Sequence, residues 1–85
     1  MTITELHKGE KARVLSLKHD HEGHWRKLAA FGILPGALLE LRQKWPGLVI
    51  SVGFSEIGLD EEIANLIEVE IENEEEQSKS RSLIE

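Results

Sequence analysis

A helical pattern of apolar positions stands near the middle of the chain. The spacing is i, i+3, i+4 and i+7, which defines one helix face, and the residues are Trp25, Leu28, Ala29 and Gly32. The spacing predicts a helix over about residues 22–31, with Asp20 as a candidate N-cap. Because helices commonly end in a left-handed glycine, Gly32 is expected to end this one.

A turn is predicted directly after this helix. Proline presets φ at the second position of a type II turn, and glycine supplies the positive φ of the third. Pro35 and Gly36 stand in that order after the helix. The helix is therefore expected to stop abruptly and to lead into a strand.

Short extended runs fill most of the remaining chain. Alternating or β-branched apolar positions predict five to six short antiparallel strands, at about residues 2–6, 11–18, 37–44, 48–54, 55–59 and 66–71. The run from Leu48 alternates as far as Phe54, which is expected to point inward, and Gly53 suggests a bulge or a sharp bend. The predicted fold class is mainly β: a small antiparallel barrel with one helix and a short helical turn near residues 60–65.

Charge and pattern both divide the chain near residue 72. Residues 1–66 hold 8 Lys and Arg against 9 Asp and Glu, a net charge of −1, whereas residues 67–85 hold 2 against 7, a net charge of −5. We predict one domain over residues 1–72 and an acidic, disordered tail over residues 73–85. Neither part has the basic face that a phosphate backbone requires, so nucleic acid is not expected as a partner.

The composition excludes several other classes of protein. The chain has no cysteine, which rules out a disulfide framework, a thiolate metal site and a cysteine nucleophile. Its apolar runs are too short to insert into a membrane, and its first residues lack the apolar core of a signal peptide. No nucleophile–base pairing, P-loop or dinucleotide fingerprint is present, so a cytoplasmic protein without catalytic activity is expected.

The order of these motifs resembles the FeoA family. The resemblance covers about residues 4–70, and its most specific part is the signature L-x-x-x-G-[IL]-x-P-G. The signature is matched by Leu28, Gly32, Ile33, Pro35 and Gly36. Further agreement comes from Leu6, Gly9, Ala12–Val14, the strand pair through Leu59, and residues 61–69.

The resemblance implies a fold and a role. The implied fold is an SH3-like β-barrel, which also occurs as the C-terminal domain of metal-dependent repressors of the diphtheria-toxin-repressor type. The chain has no room for a DNA-binding domain before the barrel, so a whole repressor is not expected. The implied role is a cytosolic accessory protein of bacterial ferrous iron uptake that contacts the transporter FeoB. A free-standing regulatory module for another partner is the alternative within the same fold.

Apolar residues around the predicted turn are candidates for a partner surface. Phe31 lies off the helix stripe, and Ile33, Leu34 and Pro35 lie in the turn that follows. Trp45, beside Pro46 in a predicted loop, is a second candidate, because exposed tryptophan is enriched at interface hot spots. The alternative for the turn residues is that they close the end of the barrel. A weak homodimer is also compatible with a small barrel that has exposed strand edges.

A histidine-rich stretch before the helix is the candidate metal site. His19, His21 and His24 fall within six residues that also contain Asp20 and Glu22. Imidazole and carboxylate groups are ligands that iron, zinc and nickel accept. The family pattern does not require these histidines, and a polar surface loop is the alternative. No cofactor is required, but a divalent transition metal at this loop would make the protein a metal-binding or metal-sensing protein.

Overall fold

The computed structural model describes residues 1–72, so the prediction for residues 73–85 lies outside the described residues. The described chain forms one sheet of five antiparallel strands. The strands are β1 (Lys11–Leu17), β2 (Leu38–Gln43), β3 (Leu48–Val52), β4 (Ser55–Leu59) and β5 (Ile67–Ile71). Two helices accompany them, α1 (His24–Ala30) and α2 (Glu61–Ala64). The predicted mainly β fold class is confirmed.

The strand order across the sheet is β4-β3-β2-β1-β5. Strands β2, β3 and β4 follow one another as a meander, and β5 returns to pair with β1. In the β1–β5 ladder the register shifts between Val14 and Ser16, which marks a bulge at Leu15. Helix α1 lies in the connection from β1 to β2, so the sheet positions both of its ends.

Alternating side chains of the strands supply most of the core. Burial alternates along β3, where Leu48, Ile50 and Val52 are buried and the residues between them are partly exposed. The other buried hydrophobic residues are Ile3, Leu6, Ala12, Val14, Leu28, Ile33, Leu39, Leu41, Ala64, Ile67 and Val69. The core is thus aliphatic, and Leu28 of α1 together with Ile33, which follows the helix, anchors the end of α1 to it.

The N-terminal segment differs from its predicted strand. Residues Ile3–Glu5 form a 3₁₀ turn, and only Thr2 makes an isolated bridge, to Glu68. Ile3 and Leu6 are both fully buried. Because residues three apart align in a 3₁₀ turn, this conformation directs both side chains into the core, which an extended strand would not do.

The strand predicted to continue to Phe54 ends instead at Val52. Val52 pairs with Ser55, so Gly53 and Phe54 form a two-residue hairpin turn. Gly53 has φ +58°, whereas Phe54 is not at positive φ, because only glycines are at positive φ in the described chain. A positive φ at the first turn residue alone is the pattern of a type II′ turn. Phe54 is fully exposed at the tip, so the expectation that it points inward is wrong.

The helices also show where the sequence pattern was accurate. Helix α1 spans His24–Ala30, within the predicted 22–31, and α2 with its N-cap Asp60 falls within the predicted 60–65. Among residues 1–72, no helix has the length and apolar character needed to cross a membrane.

Candidate functional site

The C-terminal end of α1 is fixed by main-chain hydrogen bonds. The Gly32 N–H donates to the Ala29 carbonyl at 2.9 Å, and the Ile33 N–H donates to the Leu28 carbonyl at 3.0 Å. Gly32 has φ +91°. These bonds and this φ define a Schellman motif, in which the side chains flanking the end of the helix pack together. Leu28 and Ile33 are those side chains, and both belong to the core.

The turn after the helix is held equally firmly. The Ala37 N–H donates to the Leu34 carbonyl at 2.9 Å, and Gly36 has φ +93°, as the predicted type II turn requires. Two main-chain hydrogen bonds connect the turn to β1. The Gly36 N–H donates to the Val14 carbonyl at 2.7 Å, and the Val14 N–H donates to the Ala37 carbonyl at 2.9 Å. The Arg13 guanidinium donates to the Gly36 carbonyl at 3.0 Å.

Three of the predicted partner-surface residues are exposed at this turn. Phe31 is 54% exposed, Leu34 is 48% exposed, and Pro35 is exposed as well. We call these three residues the helix-end surface. Ile33 is fully buried, so its assignment to an exposed patch is wrong; as the Schellman residue after Gly32 it points into the core.

Two exposed leucines near this turn were missed by the sequence reasoning. Leu15 is 51% exposed at the bulge of β1, and Leu38 is 39% exposed at the start of β2. Leu38 follows the turn directly, and Leu15 follows Val14, which is bonded to the turn. The available signal was that apolar residues of the run 11–18 fall on both faces of the strand.

Trp45 lies apart from the helix-end surface. Its side chain is 85% exposed in the connection between β2 and β3. Leu34 and Pro35 precede β2 and Trp45 follows it, so a strand of six residues, roughly 20 Å, separates them. The predicted partner-binding residues therefore fall into two separate places.

The histidine-rich loop does not bring its three histidines together. His19 stacks on the Trp25 ring at a centroid distance of 4.3 Å and an interplanar angle of 16°. His24 instead faces two carboxylates: its Nδ1 is 2.6 Å from Asp20 Oδ2, and its Nε2 is 3.3 Å from Glu22 Oε2. One ligand atom from each of Asp20, Glu22 and His24 lies within 4.8 Å of the others. The candidate metal centre is thus this trio, which contains His24 but neither His19 nor His21 of the three predicted histidines.

Asp20 contacts the side chain of His24 and is not the N-cap residue of the helix. Helix α1 has Gly23 as its N-cap, at φ +74° and without a side-chain cap hydrogen bond. Burial disfavours the ionised Asp20 carboxyl, but hydrogen bonds from the His24 side chain and from main-chain N–H groups outweigh it, so the pKa of Asp20 is lowered. Among the described residues, Asp20 Oδ1 is buried without a hydrogen-bond partner. Asp20 is therefore held as a carboxylate with one free oxygen.

The trio borders a small cavity that offers further ligands. The cavity has a volume of about 210 Å³ and is also lined by His21 and Glu62. A carboxylate on one ring nitrogen of a histidine is the arrangement that orients the other nitrogen toward a metal. The donor set of imidazole and carboxylates fits zinc, ferrous iron or nickel. The geometry can hold a cation, whereas no nucleophile–base pair stands in it.

Comparison with known proteins identifies relatives of the chain. The FeoA domain model matches residues 1–71. The solution structure of iron(II) transport protein A from Clostridium thermocellum is 35% identical, with a TM-score of 0.75 over 84% of this chain and 45% of that chain. No curated protein matches the chain at a significant level of similarity.

Two further structures extend the comparison. FeoA from Stenotrophomonas maltophilia, described as complexed with zinc and as a prokaryotic SH3 domain protein, is 28% identical, with a TM-score of 0.75 over 82% of this chain and 89% of that chain. IdeR from T. acidophilum is 24% identical, with a TM-score of 0.70 over 85% of this chain and 34% of that chain, and shows the shared fold alone. This chain is thus a member of the FeoA family, an SH3-like family associated with ferrous iron transport.

Proposed function

We propose that this protein is a cytosolic accessory protein of bacterial ferrous iron uptake that acts by contacting a FeoB-type transporter, without catalysis of its own. The family is associated with ferrous iron transport, and a FeoA relative has been described as a candidate activating factor for that transport. The transporter's cytosolic portion is the partner that a small domain of this kind meets.

The observation that supports the proposal is the helix-end surface. Phe31 and Leu34 expose large apolar side chains on a turn whose main chain is fixed on both sides by hydrogen bonds. Exposing such side chains costs free energy in water, and covering them with a partner recovers it. A rigid turn also loses little conformational freedom when it binds.

A binding titration tests the proposal directly. The purified protein is titrated against the soluble cytosolic domain of its cognate FeoB, with and without nucleotide and in the presence of a chelator. We expect saturable binding that Phe31→Glu and Leu34→Glu each weaken about tenfold or more, because a charge replaces a buried apolar contact. Phe54→Glu is the control, since Phe54 is also apolar and fully exposed but belongs to the β3–β4 hairpin turn and not to the helix-end surface.

Two outcomes contradict the proposal. Undiminished binding by folded Phe31→Glu and Leu34→Glu variants would exclude this surface as the contact. Absence of binding to the transporter domain under all nucleotide conditions would exclude the partner and favour a regulatory module for another protein. Circular dichroism of each variant shows that the fold is retained.

The Asp20, Glu22 and His24 trio supports a second candidate function, divalent metal binding or sensing. The supporting observation is that three ligand atoms converge within 4.8 Å beside a cavity that His21 and Glu62 also line. A relative complexed with zinc makes zinc a natural probe.

Calorimetric titration with Zn²⁺, Fe²⁺ and Ni²⁺ should show one site that His24→Ala removes. His19→Ala is the control and should bind equally well, because His19 stacks on Trp25. An equal loss of metal binding in the two variants would contradict the assignment of the site to Asp20, Glu22 and His24.

A further inference from the structure

A groove lies beside Trp45, between the β2–β3 connection and the start of α2. It has a volume of about 480 Å³. Its apolar lining includes Trp45, Pro46 and Leu59, and its polar lining includes Lys44, Asp60 and Glu61. We call it the Trp45 groove. Since the indole of Trp45 is 85% exposed, its ring faces are open to a bound group.

The charge of the Trp45 groove is unbalanced. Within residues 1–72, the carboxylates of Asp60 and Glu61 make neither an ion pair nor a hydrogen bond. Lys44 also lines the groove, but its Nζ donates to the Leu6 carbonyl at 2.7 Å and pairs with neither carboxylate, so the two acids leave a net charge of −1 in the lining. An exposed tryptophan ring attracts a cation through its π electrons, and two unpaired carboxylates attract it through charge. The groove is therefore complementary to a side chain with an apolar stem and a positive end, such as arginine or lysine.

A free strand edge leads into the same groove. In the described sheet β4 is an edge strand that pairs only with β3, and it ends at Leu59, which lines the groove. In the hairpin Val52 and Ser55 form the pair next to the turn, so the main-chain groups of Glu56 and Gly58 point away from β3. An extended peptide can pair with those groups, and Gly58 presents no side chain to obstruct it.

From these two features we propose that the Trp45 groove docks an extended segment of a partner protein through one arginine or lysine side chain. The segment lies along the free edge of β4, and its cationic side chain sits on Trp45 and pairs with Asp60 and Glu61. The site shares no residue with the helix-end surface, so the inference does not rest on the proposed transporter contact and can stand or fall independently of it.

The test uses a defined peptide probe and amide-resolved NMR. The ¹⁵N-labelled protein is titrated with the blocked peptide Ac-VTVRVT-NH₂ and with the same peptide carrying neutral citrulline in place of arginine. We expect saturable shifts at the Trp45 indole N–H and at the amides of Glu56 and Gly58. We also expect the citrulline peptide to bind roughly fivefold to tenfold more weakly, because the ion pairing and the cation–π contact are lost.

Variants separate this site from general charge attraction. The double variant Asp60→Asn/Glu61→Gln should bind the arginine peptide fivefold to tenfold more weakly and leave the citrulline peptide unaffected. Asparagine still serves as an N-cap residue, so α2 should be retained. The matched control is Glu40→Gln/Glu70→Gln, which removes two charges outside the groove and should bind like the parent protein. Trp45→Ala should weaken both peptides.

Several results would overturn the proposal. Equal affinity for the arginine and citrulline peptides would show that the groove does not recognise a positive charge. Shifts confined to Phe31 and Leu34, or no saturable shift at millimolar peptide, would exclude the groove. Concentration-dependent shifts of Trp45 without any peptide would show that a second copy of this chain occupies the groove instead of a partner segment.

Discussion

The two ends of helix α1 are held in different ways. At the C-terminal end, Gly32 and Ile33 complete a Schellman motif, and the Leu28 and Ile33 side chains are buried. At the N-terminal end, Gly23 caps the helix without any side-chain hydrogen bond, and the polar groups of Asp20 and His24 bind each other at a half-exposed site. The C-terminal end is fixed by main-chain hydrogen bonds and buried side chains, and the N-terminal end is held by a contact between polar side chains.

This difference separates a rigid binding surface from a responsive one. Main-chain hydrogen bonds and aliphatic packing do not change with pH or with dissolved metal ions, so the helix-end surface should keep one geometry. Contacts between imidazole and carboxylate depend on protonation and compete with cations. The four predictions that follow test this contrast through stability, from the largest expected effect to the smallest.

Removal of core contact at the C-terminal end should have the largest effect. Leu28→Ala should lower the free energy of unfolding by about 2–5 kcal/mol, because it deletes buried methyl groups and leaves a cavity. Denaturant unfolding measures the loss. Phe31→Ala is the control three residues later, and its exposed side chain should cost less than about 1 kcal/mol. Equal losses for the two variants would mean that burial does not anchor this end.

Disruption of the turn conformation should come next. Gly36→Val should cost about 2 kcal/mol, because a β-branched residue is strained at φ +93°. Gly47→Val is the matched control: a Cβ meets open space at both glycines, and Gly47 has no positive φ. An unchanged melting temperature for Gly36→Val would refute the type II turn.

Loss of the polar contact at the N-terminal end should have a smaller effect. His24→Ala should lower the free energy of unfolding by roughly 1 kcal/mol or less, since a half-exposed hydrogen bond of this kind contributes little net free energy. His21→Ala, at an exposed residue of the same loop, should leave it unchanged. If His24→Ala were as damaging as Leu28→Ala, the two ends would not differ as described.

The smallest effect concerns another turn held by a carboxylate. Glu10 accepts the His7 main-chain N–H at 2.6 Å, and this bond, together with the His7 ring and Lys44, lowers the pKa of Glu10 despite some desolvation. Because the folded pKa is depressed, the stabilisation is present above the unfolded value near 4.5 and is lost as pH falls through the folded pKa.

The measurement for this turn is the free energy of unfolding of parent and Glu10→Gln between pH 6 and pH 3. Glutamine keeps an acceptor for the His7 N–H but has no charge, so the variant should lose less stability on acidification than the parent. Parallel pH profiles would contradict a role for the Glu10 carboxylate. Leu28→Ala, in contrast, should keep the parent's pH dependence.

The same contrast explains which parts of the structure could be predicted from the sequence. Gly32, Pro35 and Gly36 impose their backbone conformations locally, so the end of the helix and the turn followed from residue type alone. The alternation of apolar and polar residues predicted strand β3 correctly as far as Val52. At Gly53 and Phe54 the alternation continues in the sequence, but the chain reverses in a two-residue turn. Phe54 was misplaced for that reason.

Other features depend on contacts that spacing does not contain. Ile33 is buried because the Schellman motif turns it inward, although its place in a turn suggests exposure. His19 stacks on Trp25, and the group that could hold a metal ion consists of one histidine and two carboxylates. The segment around Ile3 and Leu6 is too short for its apolar spacing to distinguish a 3₁₀ turn from a strand. In each case the outcome depends on contacts that form only in the folded chain.

The pairing of Val14 with the turn also bears on the rate and entropy of association. Amide hydrogens of Val14 and Gly36 donate across the junction between β1 and the turn, so they should exchange with solvent only when the sheet itself opens. A partner that meets the helix-end surface therefore encounters a preformed shape and need not wait for it to order. Most of the adjustment on complex formation should fall on the partner.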